Sequence, residues 1–294
     1  MKSVVPVLTI LAAILGIWYA ATVWMNAPQV RDAARRGNVE LTLGQTVAAT
    51  MVERRPMLAA PHQVAAELWK GIVTEPVTSK RSLVYHAWVT LQATLTGFGL
   101  GVLVGVLLAV GIVYSRVIDL SAMPWAIISQ TIPIVALAPM IVVLSNSLGL
   151  GERLGVENRL VSKTLIAAYL SFFPVLVSMV KGLRSPDPMQ IDLLRTYSAS
   201  GWQEFVKLRL PSSLPFFFAS LKVSIAAALV GAIVGELPTG AVEGLGARML
   251  VASQFGQPLL MWASLFAATI LAGVLIVALG LVQRMADRMM GARA

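Results

Sequence analysis

The chain has 294 residues, of which 57% are hydrophobic and only 13% charged. A soluble domain carries about a quarter charged residues; half that share leaves too little polar surface to hold a globule in water, so the composition and the mean hydropathy of +0.79 point to an integral membrane protein. The net charge of +9 then fits loops rich in Lys and Arg on the cytoplasmic side rather than nucleic-acid binding, and the lack of cysteine excludes disulfides, thiolate metal sites and cysteine nucleophiles.

A helix needs about 20 apolar residues to cross a hydrocarbon core. Val4 to Met25 is the first such run. A secretory signal has an apolar core of about 7–15 residues; this run is longer and reads as a retained helix. Further runs lie at Ala87–Tyr114, Leu120–Asn146, Leu160–Gly182, Phe216–Leu237 and Leu259–Val282, so six spans are expected.

The basic residues orient them. With the N-terminus in the cytoplasm, the inside carries Lys2, Arg116, Lys181, Arg184, Arg195, Lys207, Arg209, Arg284, Arg288 and Arg293. The short outside loops carry only Arg153, Arg159, Lys163 and Arg248. Both termini are therefore placed in the cytoplasm. The segment from Asn26 to Tyr85 opposes this rule, since it lies outside yet holds Arg31, Arg35, Arg36, Arg54, Arg55, Lys70, Lys80 and Arg81. Its length is at the limit where loop charge stops governing orientation. Within it, Pro61–Ile72 has Val64, Leu68 and Ile72 at helical spacing, as in a short helix resting on the membrane surface.

In the second run, Gly97, Gly101 and Gly105 repeat every four residues, a spacing that lets helices approach closely, within the chain or between copies. The third run holds Pro124, Pro133 and Pro139, with Gln130 between them. Proline removes a backbone donor, and in lipid the freed carbonyls need partners in protein or water. This span is expected either to face a wet pathway through Gln130 and Pro133, or to be kinked for packing alone. Glu236 follows the fifth apolar run. It is either a pathway-facing carboxylate or one solvated at the outer interface.

Catalytic patterns are missing. The chain lacks a GxxxxGK[ST] phosphate loop, HExxH, GxSxG and any paired acidic cluster, and its two histidines are far apart in sequence. A non-enzymatic transport protein with no metal and no bound cofactor is expected, its energy supplied from elsewhere. An ion-coupled secondary carrier is the alternative; it would call for ionisable pairs near the midplane or inverted repeats.

Between the fourth and fifth runs lies a polar island, SPDPMQIDLLRTYSASGWQEFVKLRLPSSLP. Asp187 before Pro188 is a helix start. Ser200 with Gln203 fits a capping box. Two short amphipathic helices are expected, broken at Ser198–Gly201, the second ended by Pro211. Pattern alone leaves open whether this unit is a surface connector or docks a partner.

The island resembles the signature loop of binding-protein-dependent ABC importer permeases: Glu-Ala-Ala, three residues, Gly, and Leu-Pro about a dozen residues on. Asp192, Leu193 and Leu194 stand at the Glu-Ala-Ala positions, Ser198 at the Gly and Leu210-Pro211 at the end. SASGWQEFVKLRLPSSLPFFFASLKVSIAAALVGAIVGE, PHQV, HAWVTLQATLTGF and the proline- and glutamine-bearing third run are similar to the nitrate/sulfonate/taurine branch, and the likeness covers about residues 60–285.

The resemblance implies an all-α polytopic fold of the type I ABC importer permease kind. It implies an N-terminal transmembrane helix (1–25), an external segment (26–86), a five-helix permease core (87–285) with a coupling loop at 183–215, and a cytoplasmic tail (286–294). It also implies a bacterial inner-membrane location, a second permease copy or paralogue, a dimer of cytoplasmic ATPases that uses the ATP, and an external solute-binding protein. The contact with the ATPase would be Asp192, Leu193, Leu194, Arg195, Tyr197, Ser198, Ala199, Ser200, Gly201 and Pro211. The solute would be a small anion such as a sulfonate or nitrate, or a pyrimidine-like precursor. Asp for Glu, two leucines for two alanines and Ser for Gly depart from the signature. They imply a matching change in the ATPase groove, or a second, differently patterned permease.

Overall fold

The computed structural model describes residues 4–289, and every regular element among them is helical. Lys2 and Arg293 of the charge pattern lie outside the described residues. In chain order the helices are α1 (Val4–Arg36), α2 (Leu43–Val52), α3 (Pro61–Trp69), α4 (Leu83–Tyr114), α5 (Arg116–Ser129), α6 (Ile134–Ser147), α7 (Leu150–Leu154), α8 (Asn158–Leu183), α9 (Pro188–Thr196), α10 (Gly201–Glu204), α11 (Leu210–Glu236), α12 (Leu245–Gln254) and α13 (Pro258–Met289). A π turn at Lys70–Thr74 extends α3, and another at Phe205–Arg209 joins α10 to α11. The chain forms two compact units: one up to Ala87 together with Ala247–Thr269, the other Trp88–Gly246 with the chain from Ile270.

Among the described residues, five helices are long and apolar enough to cross a membrane. The third expected span is different. It is two helices, α5 and α6, bent by 107° at a four-residue break. Pro133 causes the break: it stands extended as the N-cap of α6 and cannot donate a helical hydrogen bond. The first helix also departs from expectation. It does not stop at Met25 but continues through Pro28 to Arg36, because a helix that has left the lipid can go on as an amphipathic one. Lys163, grouped by hydropathy with the outer loop, lies inside α8 and is buried beside Gly235. The short helix expected at Pro61–Ile72 is present, with Val64 as its buried contact.

In the first unit, the aromatic rings of Trp18, Trp262 and Phe266 cluster, and the Trp18 indole N–H donates to Ala59 O at 3.0 Å. Asn26 clamps the chain before α3 by donating to Leu58 O at 2.8 Å and accepting from Leu58 N at 3.1 Å.

The second unit is built on close helix approach. A Cβ on Gly231 would stand 2.7 Å from Ala167 Cα, and one on Gly182 would stand 2.9 Å from Ser213 Cα, so α11 packs on α8 almost backbone to backbone. The glycine ladder of α4 serves the same purpose within the chain. Gly97 faces Ala167, Gly101 faces Ser171, and a Cβ on Gly105 would stand 2.7 Å from Phe172 O. Below this seam Ile112, Leu176, Met179 and Leu183 form the apolar core. Small residues at such seams gain dispersion contacts that lipid cannot offer. Gly105→Ala is therefore expected to cost about 1–3 kcal/mol by overpacking. Gly99→Ala, in open space, should cost nothing. Thermal unfolding of the detergent-purified chain compares the two.

Candidate functional site

The polar island is built from its caps outward. Asp187 accepts a hydrogen bond from Met189 N at 2.8 Å and starts α9, with Pro188 in its first turn. At the other end Ala199 N donates to Leu194 O at 3.0 Å and Ser198 N to Arg195 O at 2.9 Å. This is a Schellman closure, which needs a left-handed residue at the position after the cap. Ser198 supplies it with φ +55°. The glycine of the signature thus has a backbone reason, and Ser198 adopts the same conformation against the preference of a residue with a Cβ. Ser198→Val is expected to cost about 1–2 kcal/mol and Ser198→Gly to leave thermal stability equal or higher.

Ser200 then opens α10. Its hydroxyl accepts from Gln203 N at 3.3 Å, and the Gln203 side chain accepts from Ser200 N at 2.9 Å, the reciprocal box that was expected. The expected stop at Pro211 does not occur. The chain stays helical from Gly201 to Glu236. The π turn explains this: Leu210 N reaches Phe205 O, one residue further back than in an α-helix. The widened turn makes room for the Pro211 ring, which would otherwise meet the carbonyl four residues behind.

The same turn positions residues that hydropathy and α-helical spacing do not single out. The Arg209 guanidinium lies 2.6 Å from the Glu204 carboxylate, with only 17% and 15% of the two side chains exposed. Arg209 also donates to Leu183 O at 2.9 Å, at the end of α8. The pair is five residues apart, which aligns side chains only where the helix is widened; three and four are the α-helical spacings. Phe205 packs edge-on against Tyr114, the last residue of α4. Arg184, just after α8, pairs with Asp119 of α5 at 2.7 Å. The island is thereby braced against the ends of several spans.

Its outer face is bare. Met189, Leu193 and Tyr197 recur every four residues along α9, and all are exposed, Met189 and Tyr197 by more than three quarters. Trp202, on α10, is likewise 72% exposed. Asp192 and Arg195 lie beside it, 3.6 Å apart and mostly in solvent. Leu194 and Ala199 are half-buried and close the turn, while Gly201 and Pro211 are exposed.

Gln130 and Pro133 sit at the broken span. Gln130 ends α5, half-buried, with its amide donating to Ser129 Oγ at 3.3 Å. Tyr169 of α8 latches the bend by donating to Ser129 O. Glu236 is not the carboxylate solvated at an interface: it is 0% exposed. Its carboxylate accepts from Thr90 Oγ1 at 2.8 Å and from Gly246 N at 2.6 Å, and Thr90 Oγ1 in turn accepts from Leu245 N at 2.9 Å. It anchors the loop that returns from α11. Gly244, with φ +125°, packs onto that carboxylate, where a Cβ would overlap it. No group of metal-ligating side chains occurs among the described residues.

Long apolar helices, a broken span and a braced polar loop with a bare apolar face define a polytopic helical transport permease. The chain belongs to the family of the binding-protein-dependent transport system inner membrane component, which residues 101–291 match. It is 32% identical to the formylaminopyrimidine transport permease protein of Halalkalibacterium halodurans, over 72% of this chain and 78% of that one. It is 31% identical to the riboflavin transport system permease protein of Chloroflexus aurantiacus, over 79% and 80%. The inward-facing methionine ABC transporter MetNI shares the fold, with a TM-score of 0.55 over 69% of this chain and 95% of that chain at 19% identity.

Proposed function

We propose that this subunit is driven through Asp187–Arg209, which docks on a cytoplasmic ATPase. The observation that carries this reading is the stripe of Met189, Leu193 and Tyr197, together with Trp202, left bare on helices that are otherwise capped and braced. An exposed apolar face of this kind is a partner surface, and its rigidity lets a partner's movement reach the spans instead of being absorbed. Such coupling requires the ATPase to bind two states of the permease with different affinity.

The chain itself holds no nucleotide; ATP belongs to the partner. A second permease, copy or paralogue, completes the pathway, and an external binding protein delivers the solute. Both termini lie in the cytoplasm. The backbone at Gln130–Pro133 leaves helical geometry with Thr131, Ile132 and Pro133 exposed. Non-helical backbone at membrane depth needs protein or water around it, so Gln130 and Pro133 line the pathway or the seam with the second permease. The solute is a heteroaromatic molecule of the pyrimidine class, by likeness to the formylaminopyrimidine and riboflavin permeases.

Cysteine at Leu193 or Ala199 should crosslink to the co-expressed ATPase. An intact complex with no crosslink from any position between Asp192 and Ser200 would overturn the docking. An ion-coupled carrier would bring down no ATPase at all. Uptake of labelled formylaminopyrimidine, set against riboflavin and an alkanesulfonate, decides the solute class.

A further inference from the structure

The basic segment that opposes the orientation rule contains a cavity of about 300 Å³, lined by Arg54, Arg55, Glu67, Arg248, Gln257 and Leu260, among others. Three guanidinium groups face one carboxylate. None of the three arginines has an ion-pair partner among the described residues. Arg248 Nε is sealed from solvent and lacks any hydrogen-bond partner. A buried, unpaired guanidinium nitrogen is costly, and three guanidinium groups against one carboxylate give the pocket a surplus of positive charge.

Its height can be read from α1. Val4 to Trp24 rises about 30 Å at 1.5 Å per residue, the thickness of a hydrocarbon core. Over that length the apolar side chains from Val5 to Ile17 are bare, and Trp24 is 79% exposed. An exposed Trp24 at the end of that rise suits a ring at the membrane interface. Gln29, about 7 Å further along α1, donates to Arg55 O at 3.2 Å. Arg54 and Arg55 therefore stand at the level of lipid phosphates. The opposite wall is the apolar first turn of α13, whose backbone N–H groups carry partial positive charge, and exposed Phe255 lies beside it.

We propose that this pocket binds the phosphate of an anionic membrane lipid. Arg54, Arg55 and Arg248 hold the oxygens, and an acyl chain runs down from Leu260 along α13. Arg54 and Arg55 of this segment then mark a lipid contact rather than a cytoplasmic address.

The test uses the full chain with its co-expressed partners in nanodiscs of zwitterionic lipid. A fluorescent phosphatidylglycerol is titrated in, and inorganic phosphate is the competitor. At about 1 kcal/mol per basic residue near the surface, Arg54→Gln with Arg248→Gln should weaken the lipid about 30-fold. Should that variant fail to assemble, Arg54→Gln with Arg55→Gln carries the same expectation. Arg36→Gln with Arg159→Gln, which removes equal charge elsewhere, should change it less than threefold. Unchanged affinity in the pocket variants, or an equal loss in the control, overturns the site. Displacement of the lipid by millimolar inorganic phosphate overturns the lipid as its occupant and leaves a free-oxyanion site. Loss of binding-protein docking with lipid affinity intact assigns the pocket to that protein instead.

Discussion

Glu236→Leu is expected to destabilise the subunit by about 3 kcal/mol and to lower the yield of assembled transporter sharply. The carboxylate accepts from Thr90 Oγ1 and Gly246 N, both buried. Removing it takes the carboxylate acceptor from both, and a buried polar group that loses its acceptor costs about 1–3 kcal/mol. Leucine also cannot reproduce the flat carboxylate against which Gly244 packs. Glu236→Gln keeps one oxygen for Gly246 N and offers its amide to Thr90, so it should lose about 1 kcal/mol. Glu236→Asp is too short to reach both partners and should resemble leucine more than glutamine. The measurement is thermal unfolding of the purified transporter, set beside ATP-dependent uptake. An anchor loses stability first. A residue touching the solute would give the reverse, uptake lost with the unfolding midpoint unchanged, and that outcome would remove the anchoring role.

How far such a site is legible from sequence depends on how local its causes are. Asp187–Pro188 and Ser200–Gln203 were legible because a cap and its donors lie within three residues of each other. The break at Ser198–Gly201 was legible because the capping box that restarts the helix lies beside it, and the structure puts its left-handed residue at Ser198. The third run announced trouble through its prolines. Its 107° bend was not legible, because the angle depends on Tyr169 holding Ser129 from another helix. Glu236 stood out as a charge at the end of an apolar run, but Thr90 is 146 residues away and no pattern links them. Pro211 misled. Proline normally ends a helix, and the π turn that accommodates it is a change of register with no composition of its own. Helix α1 misled in a different way: hydropathy reports where lipid ends, and the helix continues beyond that point.

The register change at Phe205–Arg209 also produces the second large expected effect. Arg209→Met should uncouple ATP hydrolysis from transport, with uptake falling at least tenfold while the ATPase still co-purifies. Arg209 ties the loop that carries the bare stripe to the spans: it pairs with Glu204 at 2.6 Å and donates to Leu183 O at 2.9 Å. Methionine keeps the length of the side chain but leaves a largely buried carboxylate and a carbonyl unpaired, a loss of about 2–4 kcal/mol concentrated at the hinge of the loop. The stripe of Met189, Leu193 and Tyr197 is untouched, as is Trp202, so docking should survive. Glu204→Gln in the Arg209→Met background removes the stranded charge and should restore part of the stability. It should not restore coupling, because the bond to Leu183 O stays broken. Arg209→Lys keeps the charge but cannot serve both Glu204 and Leu183 with a planar fork, and should couple at an intermediate level. If Arg209→Met transports normally, the brace is dispensable, and movement must pass through the Tyr114–Phe205 contact or the Arg184–Asp119 pair instead. If the ATPase no longer binds, Arg209 belongs to the docking surface itself.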